Sequence, residues 1–320
     1  QNQPVPNLAA PPHGIPDLVL VNPAAGGGLA QDVLPLLKDF ARRRGWRVEF
    51  RSTQSPENLA AEARRGAAEG HKRIFVLGGD GTFQALLNAL AGAPDVVLGV
   101  IPAGGGNDLA AAIGLPQDPL LAADLLLEGQ PAFLDAALAR TADGKERLYT
   151  GGGGVGLDAE AARYAGGVYR NLRGRPRYLL SAVRALMSFH PIRLRAFIGT
   201  DRQVEINANA LLLVVLNTPS YGAGLRLAPD AQTDDGKLDL VLLEDLSFLE
   251  VLALLPSLAR RGELRTARVQ RFRVDRVRIE TDRPCSFHGD GEILGNTPVE
   301  VAVVPSAVRI LCPRNPHSDR

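Results

Sequence analysis

The sequence is poor in cysteine, with only Cys285 and Cys312 among 320 residues. Two cysteines exclude a disulfide framework and a cysteine-rich zinc site, and they favour a reducing compartment. No apolar run approaches the ~18 residues that a membrane-spanning helix needs. The first fifteen residues contain four prolines and no charged n-region, which is not typical of a signal peptide. These absences predict a cytoplasmic protein with a flexible lead-in over residues 1–15.

Lysine is also scarce, since 32 of the 36 basic residues are arginine. Basic and acidic residues nearly cancel, and the net charge is +1. This balance and the absence of a recognised motif predict no nucleic-acid partner. Residues 163–184 hold six arginines, no acid and three tyrosines, and residues 260–278 hold eight arginines. These stretches suit peripheral contact with an anionic inner-membrane surface, or equally a solvated surface of an arginine-rich protein.

Hydrophobic patterning divides the chain into two halves. Short apolar runs at 17–21, 47–52, 74–77 and 96–101 alternate with helical patterns, which predicts an α/β domain with a parallel sheet. After residue 133 short β-type runs dominate, interrupted by helical patterns at 178–188 and 247–261, so we expect a mainly antiparallel β domain. The predicted nucleotide-binding α/β domain comprises 16–133 plus 305–313, and the β-rich substrate domain comprises 134–304.

Three predicted strands of the first half run into glycine-rich loops at 26–28, 78–81 and 104–106. Loops at the carboxyl ends of parallel strands form the ligand crevice of such sheets, and glycine lets the backbone approach an anion. Three such loops suggest a polyphosphate cradle, although each alone could simply turn the chain. Neither a GxxxxGK[ST] loop nor a GxGxxG fingerprint is present.

Asp80 lies inside the second glycine loop. Phosphate would repel a carboxylate there unless a cation lay between them, so Asp80 suggests a contact through Mg²⁺ or water. The alternative is that Asp80 caps the helix that begins near Thr82.

An ordered set of motifs resembles the diacylglycerol kinase and sphingosine kinase superfamily. The run from Gly78 to Thr82 matches its GGDGT signature. Asn22-Pro23 before glycines, the run 102–110 (PAGGGNDLA) and the runs 221–224 (YGAG) and 234–239 (DDGKLD) resemble further family motifs, and 290–292 (DGE) completes the series. The chain therefore resembles a bacterial soluble lipid kinase with a phosphofructokinase- and NAD-kinase-like first domain.

The resemblance implies ATP, Mg²⁺ and a set of site residues. Those implied to bind nucleotide are Asn22, Gly26, Gly27, Thr53, Gly78, Gly79, Asp80, Gly81, Thr82, Phe83, Gln84, Gly104, Gly105, Asn107 and Asp108. The implied catalytic residues are the base Glu292 with Asp80 and Asp290, and Asp108 and Asp135 support them as an acidic network. A second, structural Mg²⁺ is implied at Gln232, Asp235 and Lys237, where the same residues could simply form a β-turn.

Two hydroxyls usual in these motifs are missing, because Ala25 and Gly105 stand where the family has Ser and Thr. Each lost hydrogen bond would cost about 1 kcal/mol of nucleotide binding. His288 lies two residues before Asp290 of the DGE run, but it is not assigned to the site, because a lone histidine is more often structural or solvated. The missing hydroxyls favour a non-catalytic protein, whereas the intact Asp80, Asp235 and Glu292 argue against it.

The resemblance predicts diacylglycerol as the first acceptor, giving phosphatidic acid, with a sphingoid base or ceramide close behind. Acceptor choice lies in the pocket of the second domain and not in the shared motifs. The rivals are a kinase of a soluble substrate such as a nicotinamide dinucleotide, and a non-catalytic lipid- or nucleotide-binding protein. The family is often dimeric, so a homodimer is possible.

Overall fold

A computed structural model describes residues 14–169, 180–181, 183–186, 190–199, 204–222, 224–246, 250 and 266–314. The predicted lead-in at 1–15 falls almost wholly outside these residues. So do most of the helical patterns at 178–188 and 247–261, of which 180–181 and 183–186 are helical.

The described residues include fifteen strands and six α-helices. The strands are β1 (Asp17–Val21), β2 (Val48–Ser52), β3 (Arg73–Gly78), β4 (Val97–Pro102), β5 (Gln130–Arg140), β6 (Glu146–Tyr149), β7 (Gly152–Gly156), β8 (Ile192–Ile198), β9 (Val204–Leu216), β10 (Leu238–Glu244), β11 (Val269–Val274), β12 (Arg276–Thr281), β13 (Ser286–Gly289), β14 (Glu292–Asn296) and β15 (Val299–Cys312). The helices are α1 (Leu29–Arg44), α2 (Pro56–Ala68), α3 (Asp80–Leu90), α4 (Asp108–Ala112), α5 (Pro119–Leu127) and α6 (Leu157–Gly166).

Eleven strands form one hydrogen-bonded path in the order β14-β13-β7-β9-β8-β12-β15-β4-β3-β1-β2, and β5, β6, β10 and β11 pair off this path. Strands β2, β1, β3 and β4 are parallel, and β4 also meets β15 in parallel. The remaining pairings are antiparallel, including the β10–β9 and β5–β15 ladders. The predicted fold class, an α/β domain with a parallel sheet and a mainly antiparallel β domain, is confirmed.

Local sequence signals explain the helix boundaries of the first half. Ser55 caps α2 by accepting a hydrogen bond from the amide of Asn58, and Pro56 occupies the first helical position. Gly45 ends α1 with φ of 65°, a left-handed conformation that favours glycine. From the sequence alone, Ser55-Pro56 predicts a helix start and Gly45 predicts a helix stop, and both boundaries are confirmed.

Two long strands, β5 and β15, connect the two halves of the molecule. The side chains of β5 up to Ala136 pack in the core of the α/β half, and those from Ala137 onward pack in the β-rich core. The β5–β15 ladder shifts register between Val304 and Val308. The division at 133/134 and 304/305 remains a prediction, and it falls within these two strands rather than between elements.

Asp135 lies at that irregularity and is almost completely buried. Its two carboxylate oxygens accept hydrogen bonds from the amides of Gly236 and Ser306, at 2.7 and 2.8 Å. Ser306 has φ of 53°, so the carboxylate holds a residue in the uncommon left-handed conformation. Asp135 therefore joins β5, β15 and the loop before β10.

The second half differs from the prediction in its glycine-rich segment. The pattern of the run 148–152 predicts a single strand, but this run forms the end of β6 and the start of β7. Four consecutive glycines at 151–154 concealed β7, since glycine has low strand propensity. Strand β5 was missed for a similar reason, because alanine and proline dominate much of it.

We predict that Asp135→Ala lowers the free energy of unfolding by about 3 kcal/mol, because two buried amides lose a charged acceptor. Urea denaturation measures this loss. Asp95→Ala, at an exposed position, is the control and should change stability by less than about 0.5 kcal/mol. Equal stabilities of the two variants would contradict the role assigned to Asp135.

Candidate active site

The three glycine loops of the α/β half converge at the carboxyl ends of its strands. A Cβ atom added at Gly26 would lie 2.3 Å from the carbonyl oxygen of Ala103. One added at Gly79 would lie 2.9 Å from the Cα of Gly104. Since real Cβ atoms do not approach so closely, only glycine allows these loops to pack together.

Asp80 begins helix α3, whose N-cap is Gly79. Its carboxylate accepts hydrogen bonds from the amides of Asp108 and Leu109, at 3.2 and 3.1 Å. These amides open the next helix, α4. The alternative that Asp80 caps its own helix is therefore wrong: Asp80 caps α4 and fixes the second glycine loop against the third.

Two further carboxylates hold segments of the β-rich half. Asp108 accepts a hydrogen bond from the amide of Gly224 at 3.2 Å. Asp290 accepts from three successive amides, of residues 150, 151 and 152, at 3.0, 2.8 and 3.1 Å. Asp135 bonds the amides of Gly236 and Ser306 instead. Its expected membership of the acidic network remains a prediction, and the contacts found for it are structural.

The electrostatics of these carboxyl groups are unusual. Burial raises the pKa of Asp80 to about 7, and the negative charges of Asp108 and Asp290 add to the effect. Burial likewise raises the pKa of Asp290 to about 6, against the lowering effect of its three amide hydrogen bonds. This excess of negative charge suits a divalent cation, because a cation would remove the repulsion.

Glu292 reaches the second glycine loop from the opposite half of the molecule. A Cβ added at Gly81 would lie 3.0 Å from Oε1 of Glu292 and 3.3 Å from its Cγ. The main chain turns sharply just before Glu292, since Asp290 and Gly291 have φ of 49° and 84°. The absence of a side chain at Gly81 thus lets the expected base lie directly against the GGDGT loop.

Helix α3 is tied to the β-rich half by polar side chains. Gln84 donates to the carbonyl oxygen of Gly289 at 2.9 Å. Asn88 exchanges two hydrogen bonds with the backbone of Leu148, at 2.8 and 2.9 Å. Asn88 was not singled out from the sequence. These bonds set the position of the Asp290–Glu292 turn relative to the glycine loops.

Phe83 and Gln84 were expected to contact nucleotide, but their side chains have other partners. Phe83 is fully buried in the core, and its amide bonds the carbonyl oxygen of Gly79. The side-chain amide of Gln84 donates to the carbonyl oxygen of Gly289. The helical periodicity of α3 explains this, since these positions face the core and the neighbouring domain rather than the loops.

The other expected nucleotide-binding residues lie in or beside the loops. The side-chain amide of Asn22 donates to the Thr82 hydroxyl at 3.0 Å. The buried Thr53 hydroxyl donates to the carbonyl oxygen of Val21 at 2.9 Å. Asn107 folds the third loop on itself by bonding the amide and carbonyl of Gly104. Gly27, Gly78 and Gly105 belong to the same three loops.

Asp235 lies away from this cluster, in the loop before β10. Its carboxylate accepts a hydrogen bond from the amide of Lys237 at 2.9 Å and forms an ion pair with Arg273. The first contact is the expected turn. In the described part of the chain, no group of three His, Cys, Asp or Glu side chains could hold a metal. Any cation held with the carbonyls of Gln232 and Lys237 would compete with Arg273, so these residues fit a second Mg²⁺ poorly.

Sequence reasoning missed a buried group of polar residues behind the Asp290–Glu292 turn. His288, which was left out, contacts Tyr221 and Asp158. A signal was present in the four glycines at 151–154, because a strand without side chains leaves room for large or charged groups on both faces.

The architecture and the convergence of glycine loops with carboxylates define a two-domain kinase. Residues 16–139 match the diacylglycerol kinase catalytic domain, and residues 153–312 match the YegS C-terminal NAD kinase beta sandwich-like domain. A diacylglycerol kinase of Mycobacterium tuberculosis is 32% identical over 78% of this chain and 79% of its own. The chain therefore belongs to the diacylglycerol kinase family, and it is a lipid kinase.

Other relatives extend the similarity over more of the chain. The putative lipid kinase YtlR of Bacillus subtilis is 29% identical over 91% of this chain and 97% of its own. A solved structure of a putative diacylglycerol kinase from Bacillus anthracis superposes with a TM-score of 0.71 at 22% identity, covering 94% of this chain and 97% of that one. Among the described residues, no helix has the length and apolar character to cross a membrane.

We predict a pH-dependent stability difference between the wild type and Asp80→Asn. An unfolded aspartate titrates near a pKa of about 3.9, whereas folded Asp80 titrates at about 7. Between these values the folded wild type binds a proton that the unfolded chain has lost, so its stability falls as pH rises. The asparagine cannot titrate, and its altered hydrogen bonding changes the folding stability by an amount that does not depend on pH.

Melting temperatures measured with a magnesium chelator test this prediction. The difference between Asp80→Asn and the wild type should move in favour of the variant from about pH 4 to about pH 7. Asp95→Asn is the matched control for the same chemical change at an exposed position. A difference for Asp80→Asn that stays constant across this range would contradict a raised pKa.

Proposed function

We propose that this lipid kinase transfers the γ-phosphate of ATP to the hydroxyl of diacylglycerol and so forms phosphatidic acid. The observation that carries the proposal is the contact between Glu292 and Gly81. This contact brings the Glu292 carboxylate of the β-rich half against the GGDGT loop of the α/β half, which would bind phosphate. Transfer to an alcohol needs such a base beside the phosphate, together with positioning and charge neutralisation.

The nucleotide would lie on the three glycine loops, with backbone amides and the α-helix N-termini facing its phosphates. The loops keep their shape without the missing hydroxyls at Ala25 and Gly105, because Asn22 and Asn107 bond the loops internally. Among the described residues, the carboxylates of Asp80, Asp108 and Asp290 accept backbone amides and form no direct metal-binding group, so they would act on Mg²⁺ through bound water. When bound, the cation would neutralise charge on the transferring phosphate.

Glu292 would take the proton from the lipid hydroxyl as the oxygen attacks the γ-phosphorus. Its carboxylate stands at the cleft between the domains and not in a core, so an acceptor can reach it. Asp290 would act through the backbone, since its hydrogen bonds to residues 150–152 fix the turn that carries Glu292. General-base catalysis of this kind contributes roughly 10²–10⁴-fold to rate.

Two apolar side chains beside this centre support a lipid acceptor. Ile293 follows the base and is 45% exposed, and Leu225 follows the Gly224 amide that bonds Asp108 and is 38% exposed. A soluble dinucleotide would not require exposed apolar groups there, whereas an acyl or sphingoid chain would cover them. Diacylglycerol is the first choice because relatives such as the Mycobacterium tuberculosis protein are named diacylglycerol kinase.

The expected peripheral contact with the inner membrane has support around α6. Arg163 and Arg184 lie over the ring of Tyr164, at 5.2 and 5.3 Å from its centroid. Val168 and Val183, which lie between these two arginines in the chain, are 71% and 41% exposed. Basic groups beside exposed apolar groups suit an anionic lipid surface. A homodimer and a second Mg²⁺ at Asp235 stay predictions.

The test is transfer of labelled γ-phosphate from ATP with Mg²⁺ to detergent-dispersed lipids. We expect labelled phosphatidic acid from diacylglycerol, and Glu292→Gln should lose at least about 10²-fold in kcat because the amide cannot accept the proton. Glu146→Gln on β6, whose carboxylate pairs with Arg140 at the surface, is the matched control and should retain full activity.

The panel also separates the alternatives. Label on sphingosine or ceramide but not on diacylglycerol would replace the proposed acceptor. Label on a nicotinamide dinucleotide alone would reject the lipid acceptor. Lipid binding without any turnover of ATP would identify a non-catalytic member.

A further inference from the structure

Three polar side chains meet behind the Asp290–Glu292 turn, and those of His288 and Asp158 are almost completely buried. The Tyr221 hydroxyl lies 2.6 Å from Nε2 of His288 and 3.0 Å from Oδ2 of Asp158. The same Nε2 lies 2.9 Å from Oδ2 of Asp158. These residues come from the turn after β9, from β13 and from the first turn of α6, and we call them the Asp158–Tyr221–His288 cluster.

The hydrogen bonds of the cluster assign its protons. With hydrogen on Nε2, this one N–H is shared between the Tyr221 oxygen and Oδ2 of Asp158, and the hydroxyl donates to Asp158. All three contacts are then satisfied. Nδ1 of His288 and Oδ1 of Asp158 are buried without a hydrogen-bond partner among the described residues. Burying these two polar atoms without partners costs free energy of folding, and apolar side chains would avoid that cost. Stability alone therefore does not account for the cluster.

The glycines of β7 make room for the cluster on one face of the strand. A Cβ at Gly152 would lie 2.7 Å from the Tyr221 ring, and one at Gly154 would lie 2.5 Å from Oδ2 of Asp158. On the opposite face, a Cβ at Gly151 would lie 2.8 Å from Oδ1 of Asp290. The glycine segment 151–154 therefore separates the cluster from the carboxylate that fixes the Glu292 turn.

His288 connects the cluster to the base. It lies on β13, and that strand pairs with β14 so that Gly289 faces Glu292. His288 also pairs with Gly154 of β7 in the sheet. A shift of His288 along β7 would therefore move the turn between β13 and β14, which carries Glu292.

Tyr221 connects the cluster to the other side of the site. Its amide and carbonyl both bond Leu225, at 2.8 and 3.0 Å, which closes a tight turn. Within that turn the amide of Gly224 bonds Asp108. The phenol ring of Tyr221 stacks on His288 with ring centroids 5.9 Å apart. The turn is therefore held by the Tyr221 side chain as well as by backbone hydrogen bonds.

We propose that the Asp158–Tyr221–His288 cluster is a positioning unit for phosphoryl transfer, which holds the Glu292 turn and the Gly224 turn in register across the cleft. The three residues touch no reacting atom, and they act through Glu292 and Asp108. The proposal rests on the proposed function for its kinetic consequence, but its structural consequence can be measured without activity.

The kinetic test compares two tyrosine-to-phenylalanine variants. Tyr221→Phe removes the hydroxyl at the centre of the cluster. Tyr149→Phe is the matched control, because its hydroxyl is buried and, among the described residues, donates to the Val215 carbonyl oxygen and not to the cluster. We expect Tyr221→Phe to lower kcat about tenfold with KM for ATP changed less than about twofold, since a small displacement of reacting groups costs rate rather than binding. Tyr149→Phe should keep its kcat.

Two substitutions of His288 give a rescue test. His288→Gln can place an amide nitrogen near the position of Nε2 and should retain most of the activity. His288→Leu has similar bulk without a donor and should lose about tenfold in kcat. Equal kcat for the two His288 variants, or for Tyr221→Phe and Tyr149→Phe, would overturn the proposal.

Amide hydrogen exchange tests the cluster independently of catalysis. Tyr221→Phe and His288→Leu should speed exchange at residues 290–292 and 224, while Tyr149→Phe should not. If the wild type phosphorylates no lipid yet the exchange pattern appears, the proposed function fails and the positioning unit stands. If lipid is phosphorylated but exchange at these amides is unchanged in the variants, the positioning unit fails alone.

Discussion

Buried aspartates that accept backbone amides determine how the two halves of this kinase meet. Asp80 holds the amides that open α4, Asp108 holds that of Gly224, and Asp290 holds three amides before and within β7. Asp135 does the same at the irregularity of β5 and β15. Each carboxylate fixes a segment distant in sequence, so the cleft has a defined shape before any ligand binds. The cost is that negative charge is buried and concentrated: burial, and then the charges of Asp108 and Asp290, raise the pKa of Asp80.

Glycine is the counterpart of these carboxylates, because the groups can converge only where side chains are absent. Gly79 and Gly104 let two loops touch, and Gly81 leaves the space taken by Glu292. The glycines of β7 allow polar groups to approach both faces of one strand. The catalytic geometry is therefore specified as much by missing Cβ atoms as by the reactive side chains.

Much of this arrangement could be predicted from the sequence. The alternation of strands and helices gave the parallel sheet, and the glycine loops and the DGE run pointed to the site because loops at strand ends share one edge. The use of Asp80 as the cap of α4 could not be predicted, since it depends on packing between loops 28 residues apart. The buried partners of His288 were hidden for the same reason: single residues in distant segments carry no periodic signal, and glycine obscured the strand between them.

The contact between Glu292 and the GGDGT loop is tested most directly by Gly81→Ala. The methyl group would press on Oε1 and Cγ of Glu292, while Gly166→Ala, which adds a methyl group to open space on α6, is the matched control. In single-turnover transfer to diacylglycerol, Gly81→Ala should be slower by about tenfold or more, with KM for ATP nearly unchanged. Transfer at the same rate by both variants would contradict the account.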